Sequence, residues 1–329
     1  MTNTYFLLFP SCVPVNGTKV SIIMDLDKGT YLEIPNLLHD ILSIDLQRFT
    51  IHEIMKKFDH QYDQGIKEYF QFLVDNQYGF YTKDPKPFRK PEDIFYSPYK
   101  IISSVLAINT TTNYDLPEVL KQLDRLSCQL LQIRIYDPYD MDKLFNSLSP
   151  LKGSSIKICE VYVCYYSLIS EEQLITICKE YPNVIIVVHT SKEKKQINIS
   201  DEFNKKIVFT GEQVHANTKE VYDPSLFTIS HSMYYESRHF NSGLHRKVCI
   251  DTDGSIKNYL SHTKVYGNIK ENKISEIITK PKFQERYFIT NDQIEKCKSC
   301  QFRYMCVSNS DIIKKNGKYF KKHTCNMDF

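Results

Sequence analysis

Hydrophobic and polar positions along this chain change period several times, and each change predicts an element. Short alternating runs at Tyr5–Phe9, Lys19–Asp25 and Thr30–Ile34 read as strands, the last two joined by a turn at Asp27-Lys28-Gly29. The spacing then lengthens to that of a helix. Thr50 and Glu53 form a capping box ahead of Ile51, Ile54, Met55 and Phe58. Asp63 opens another helix carrying Ile66, Phe70, Leu73 and Val74, stopped near Gly79.

Strands followed by short helices describe a winged-helix-like module over 1–90. A linker rich in proline and charge runs from Lys83 to Pro98. Strand and helix patterns alternate over 100–235. Strand Ser103–Ile108 precedes a helix capped by Asp115 and Glu118, with Val119, Leu120, Leu123 and Leu126 on one face. Strand Leu130–Tyr136 precedes a helix bearing Met141, Leu144, Phe145 and Leu148. Strand Ile156–Tyr165 precedes a helix starting at Ser170, whose box partner is Gln173, and strands Val184–His189 and Lys206–Thr210 continue the series. Repeated βα units predict an α/β fold built on a parallel sheet or partial barrel, with chemistry at the C-terminal ends of its strands. The last segment, 240–329, has little regular pattern beyond a hairpin in KVCIDTDGSIKNY, turning at Asp253-Gly254, and a helix near Ile274–Thr279.

Composition narrows the partners. A net charge of +3 over 329 residues gives no basic footprint for nucleic acid, and between Asn36 and Thr82 seven acids face four Lys/Arg. No apolar run approaches the roughly 18 residues of a membrane span. The N-terminal MTNTYFLLFPSCVP lacks a basic stretch ahead of its apolar one, so no signal peptide is expected. The cysteines are therefore expected in a reducing cytoplasm, where clustered thiols read as metal ligands rather than disulfides.

The clearest chemistry lies at the C-terminal end. Cys297 and Cys300 are two residues apart, Cys306 follows after five and Cys325 after eighteen. Four thiolates so spaced read as a structural metal or iron–sulfur site. Zinc sites commonly pair two C-x2-C knuckles, whereas one is present here; the asymmetry suits a cluster wrapped by a loop, with zinc or unligated thiols as the alternatives. Cys12, Cys128 and Cys178 stand in apolar text and read as core. Cys159 and Cys164, five apart on a strand, fall on opposite faces and are also expected in the core.

The run CIDTDGSIKNY…GNI…CKSCQFRYMC…C resembles a SPASM domain, the cluster-binding extension of radical S-adenosylmethionine enzymes that modify peptides. The three-part layout resembles the same enzymes, and more narrowly the maturases encoded beside ATP-grasp peptide ligases, the grasp-with-spasm type. The resemblance implies a winged-helix-like peptide-recognition module, a partial (β/α)6 barrel and a SPASM domain over 240–329. It also implies a precursor peptide and an ATP-grasp ligase as partners. Two auxiliary-cluster ligands of the family pattern are replaced, by Tyr259 and Ser310, and Cys249 is left without its set. Cys297, Cys300, Cys306 and Cys325 match the other set, implying one 4Fe–4S cluster. The C-x3-C-x2-C motif that holds the radical-generating cluster is missing: the loop after the first barrel strand is Asn109-Thr110-Thr111-Thr112-Asn113-Tyr114. S-adenosylmethionine is accordingly not expected as a cofactor.

No phosphate-binding loop, dinucleotide fingerprint, zinc-protease helix or nucleophile elbow is present. His215, His231, His239, His245, His262 and His323 are scattered over irregular text, with only His323 close to a candidate ligand. The expected function is a maturation or accessory protein for a ribosomally made peptide. The competing readings are a zinc-stabilised scaffold and a winged-helix redox regulator.

Overall fold

The computed structural model describes residues 3–200, 205–214, 224–323 and 325. The chain opens with β1 (Tyr5–Leu8), followed by β2 (Cys12–Val15), β3 (Ser21–Asp25) and β4 (Thr30–Ile34), the last three forming an antiparallel sheet in the order β2-β3-β4. Gly29, at φ +67, takes the left-handed position of the β3–β4 turn. Three helices follow: α1 (Asn36–Leu42), α2 (Ile51–Lys57) and α3 (Asp63–Asp75). Thr50 and Glu53 make the reciprocal capping box in front of α2. β5 (Gly79–Thr82) then pairs back on β1, and Phe6 of β1 stacks on Phe70 of α3 at 4.2 Å.

The middle of the chain alternates β6 (Ser103–Ile108), α4 (Leu116–Arg125), β7 (Leu130–Ile135), α5 (Met141–Ser147), β8 (Ile158–Cys164), α6 (Glu171–Glu180) and β9 (Val184–His189). β10 (Lys195–Ser200) and β11 (Lys205–Phe209) follow. After α7 (His231–His239) come β12 (Lys247–Ile250), β13 (Ser255–Lys257) and β14 (Gly267–Asn268), then α8 (Ile274–Ile278), α9 (Pro281–Gln284), and the hairpin β15 (Ile312–Lys315) and β16 (Lys318–Lys321). The large sheet has nine strands in the order β10-β11-β9-β8-β7-β6-β12-β13-β14. Six of them, β11 through β12 in that order, are parallel, and the flanking strands are antiparallel. This is a mixed α/β architecture with a mostly parallel sheet.

One face of the sheet is dry. Leu106, Ile133, Val161 and Ile186 point to it and meet the apolar stripes of α4, α5, α6 and α8. The other face carries the intervening positions. Over β6 and β12 it is covered by the C-terminal segment, through Val105, Ala107, Cys249, Tyr259, Ile289 and Ile294. Over β7 and β8 it is only half-buried, and Leu130 and Ile158 at its lower end are exposed.

Two expectations need correction. Ser170 precedes α6 but its side chain accepts no capping bond, so no box with Gln173 forms. Cys159 is fully buried against the helices, whereas Cys164, on the opposite face at the end of β8, is only partly buried and does not join the core.

Candidate metal centre and the sheet face beside it

The Cys297–Cys306 loop is built from consecutive tight turns. Lys298 N–H donates to Ile294 O (2.9 Å), Cys300 N–H to Cys297 O (2.9 Å) and Cys306 N–H to Phe302 O (3.0 Å). Cys325 is returned from a distance by the β15–β16 hairpin, whose turn uses left-handed Asn316 and Gly317. Tyr319 of that hairpin bridges to Ile294 and accepts from Glu295 N–H at 2.8 Å, which pins it beside the start of the loop. Lys296 Nζ donates to the Cys325 carbonyl at 2.7 Å.

The four thiols act on one another. Burial pushes the Cys300 thiol up to about 12, with Cys306, Cys297 and Cys325 adding to the effect and the Phe302 N–H opposing it. That N–H donates to Cys300 Sγ at 3.3 Å. Burial also raises Cys297; the Lys321 ammonium works against it, and Cys306 and Cys325 reinforce it. Among the described residues, no three His, Cys, Asp or Glu side chains converge closely enough to hold one bare ion. Around a tetrahedral ion with metal–sulfur bonds of about 2.3 Å, sulfurs stand only about 3.8 Å apart. Cys297 and Cys300 each feel the charges of the other cysteines, and a backbone N–H to sulfur, as at Cys300, is one of the contacts that tune a thiolate ligand.

The loop is wedged between two parts of the chain. Cys300, Phe302, Tyr304 and Met305 pack on Val15, Ile22, Met24 and Leu26 of the N-terminal sheet. Cys297 packs instead with the cluster lining β6 and β12. Arg303 locks the first contact: its guanidinium donates to Asn16 O (2.8 Å), Asn16 Oδ1 (2.7 Å), Cys300 O (2.9 Å) and Asp292 Oδ1 (2.9 Å).

The two positions where the SPASM pattern has thiols are otherwise engaged. Tyr259 is buried, and its hydroxyl accepts from Arg134 Nη2 at 3.1 Å; Ser310 is buried and accepts from His323 N–H at 3.1 Å. Cys249 is fully buried, pushed up to about 11 by burial against the opposing effect of Lys247, and its thiol donates to Asn258 O at 3.6 Å. His323 is exposed; His231 and His239 reach Asp27 and Asp93 at the surface, while His245 and His262 are held in buried contacts. His215 lies outside the described residues.

Sequence reading passed over the polar residues of the open sheet face. Gln132 and Arg134 on β7 stand beside Glu160 and Tyr162 on β8. Arg134 Nε donates to Gln132 Oε1 (2.6 Å), Gln132 Nε2 donates to Glu160 Oε2 (2.9 Å), and Tyr162 OH donates to the same oxygen (3.4 Å). The signal was available in LLQIRIY and ICEVYVC. Parallel strands covered on both faces read as near-continuous apolar runs, and here polar side chains interrupt them at period two.

Residues 245–301 match the model of the SPASM family, an iron-sulfur cluster-binding domain. No curated protein matches the chain. Among solved structures, Streptococcus suis SuiB is similar at 13% identity, covering 93% of this chain and 94% of that one, with a TM-score of 0.27. SuiB bound to S-adenosylmethionine gives 12% identity, the same coverage and a TM-score of 0.26. SuiB bound to precursor peptide SuiA gives 13% identity over 99% of each chain, with a TM-score of 0.28. Overlaps this loose carry no structural argument.

Proposed function

We propose that this chain is a maturation or accessory protein for a ribosomally synthesised peptide, holding one 4Fe–4S cluster on Cys297, Cys300, Cys306 and Cys325. The observation that carries the reading is the loop itself: tight turns carry Cys297, Cys300 and Cys306, Lys296 ties the Cys325 carbonyl to the same loop, and the Cys300 sulfur accepts a backbone N–H. The SPASM match covers its first two cysteines. When bound, the cluster supplies a covalent tie across the loop and, secondarily, a one-electron site.

The remaining residues position a peptide. In this reading 1–90 is the winged-helix-like recognition module, 100–235 a partial (β/α)6 barrel and 240–329 the cluster-binding domain. Among the described residues β4 pairs only with β3, and Thr30, Tyr31 and Glu33 along it are exposed, so its free edge offers backbone groups to an added strand. The Cys300 loop lies on the face of that sheet carrying Ile22 and Met24, where Phe302 meets Tyr31 edge-on at 5.4 Å, and ties the recognition module to the rest of the chain. S-adenosylmethionine chemistry has no ligand set here, because no cysteine follows β6 before Cys128. The bond-forming step is assigned to an ATP-grasp ligase, with this chain presenting the substrate.

The test is binding and turnover. The reconstituted chain should bind the precursor peptide encoded beside it and raise the ligase's rate on that peptide. No affinity together with no change in turnover refutes the assignment.

A further inference from the structure

Resting on the peptide reading above, we infer that the open face of β7 and β8 is a binding site for a peptide segment carrying both an acidic and a basic side chain, with Arg134 taking the acid and Glu160 the base. Parallel sheets are ordinarily covered on both faces, and this one is half-open over β7 and β8, with Leu130 and Ile158 exposed at its lower end. Among the described residues its charges are unmatched. Arg134 is half-buried, yet among the described residues it donates only to the neutral Gln132 and Tyr259. Glu160 is half-buried, yet among the described residues it accepts only from Gln132 and Tyr162. Among the described residues neither side chain makes an ion pair, although they belong to adjacent strands.

Half-buried charges without counter-ions cost stability that a self-paired or apolar face would not. Gln132 stands between them, its oxygen toward the guanidinium and its amide toward the carboxylate, so each charge keeps hydrogen-bonding capacity for a partner. An extended peptide places alternate side chains on one side, which suits two fixed charges on neighbouring strands with an apolar floor beyond them. A free anion or free cation alone would meet only half of this arrangement.

The test uses the full chain and three labelled 12-residue peptides of Gly, Ser and Ala. One carries Lys and Asp two residues apart, one has the Lys replaced by Gln, and one has the Asp replaced by Asn. Fluorescence anisotropy at low ionic strength should show the doubly charged peptide binding roughly fivefold or more tighter than either other. Glu160→Gln should abolish the preference for Lys while keeping that for Asp, and Arg134→Gln should do the reverse. Thermal midpoints provide a readout without ligand: both variants should match or exceed the parent, because each removes an unpaired charge. Equal binding of the three peptides, absence of binding, or a large fall in midpoint for both variants overturns the inference. None of these results alters the iron content, so the cluster assignment stands or falls separately.

Discussion

Arg303 provides the sharpest test of how the cysteine loop joins the N-terminal sheet to the rest of the chain. Its side chain is 8% exposed and its guanidinium makes three bonds besides its ion pair: one to the buried Cys300 carbonyl and two to Asn16, which is itself exposed. At about 1 kcal/mol net for the buried bond and about 0.5 kcal/mol for each of the two open to water, these contribute about 2 kcal/mol. The ion pair to Asp292 adds under about 1 kcal/mol, since Asp292 is 37% exposed and screened by water. Arg303→Met keeps the bulk and loses every bond, so it should destabilise the protein by about 2–3 kcal/mol in urea unfolding. Arg303→Lys keeps the charge but not the fork and should recover less than half of that loss. Limited proteolysis in the Lys83–Pro98 linker should quicken as the N-terminal sheet loosens from Phe302 and Met305. A loss below about 1 kcal/mol with unchanged proteolysis would refute the bolt.

Three further outcomes follow from the packing. Phe6→Ala removes the ring stacked on Phe70 in the N-terminal core and should cost about 3–5 kcal/mol by urea melts, with secondary structure elsewhere retained on circular dichroism. Gly243→Ala puts a Cβ 1.9 Å from the Ser308 carbonyl oxygen; because backbone must move, soluble yield or stability should fall by at least about 2 kcal/mol. Stability should also fall in acid. Burial holds His189 and His245 below the usual histidine value, so the unfolded chain takes up protons first, and their contribution, whole above about pH 6.5, is lost as pH drops further. Burial works against the Glu236 charge, but bonds from His245 and Arg246 hold its carboxyl below the usual range, so its share is whole above the ordinary Glu value and is lost last. Urea midpoints that do not decline from pH 7.5 to 5.5 would contradict this.

Much of the element order was legible because local rules and tertiary fold agreed. β4, β6 and β9 keep the predicted boundaries, and Thr50 and Asp115 cap as their spacing implies, Asp115 accepting from Glu118 N–H at 3.1 Å. The missed elements are those where local signal is weak. β2 is an edge strand containing Pro14, β10 reads KQINIS with mostly polar text, and α1 starts after Pro35 with no side-chain cap. Tertiary placement was not legible. β12 lies parallel to β6, about 140 residues earlier, so the hairpin of the last segment continues the sheet of the middle one. Nor does any local pattern place Cys300 against Met24, or Arg134 against Tyr259. The cysteine spacing was visible because ligands of one centre must sit close in sequence or be returned by a hairpin. The two charges on the open face were hidden because their meaning depends on which neighbours, among the described residues, they lack.

Anaerobic reconstitution with iron and sulfide counting, run beside a variant with Cys297, Cys300, Cys306 and Cys325 all changed to Ala, tests the central claim most directly. About four irons and four sulfides per chain with broad visible absorption are expected, all lost in the variant. A colourless protein carrying about one zinc, or iron retained without the four thiols, would contradict it.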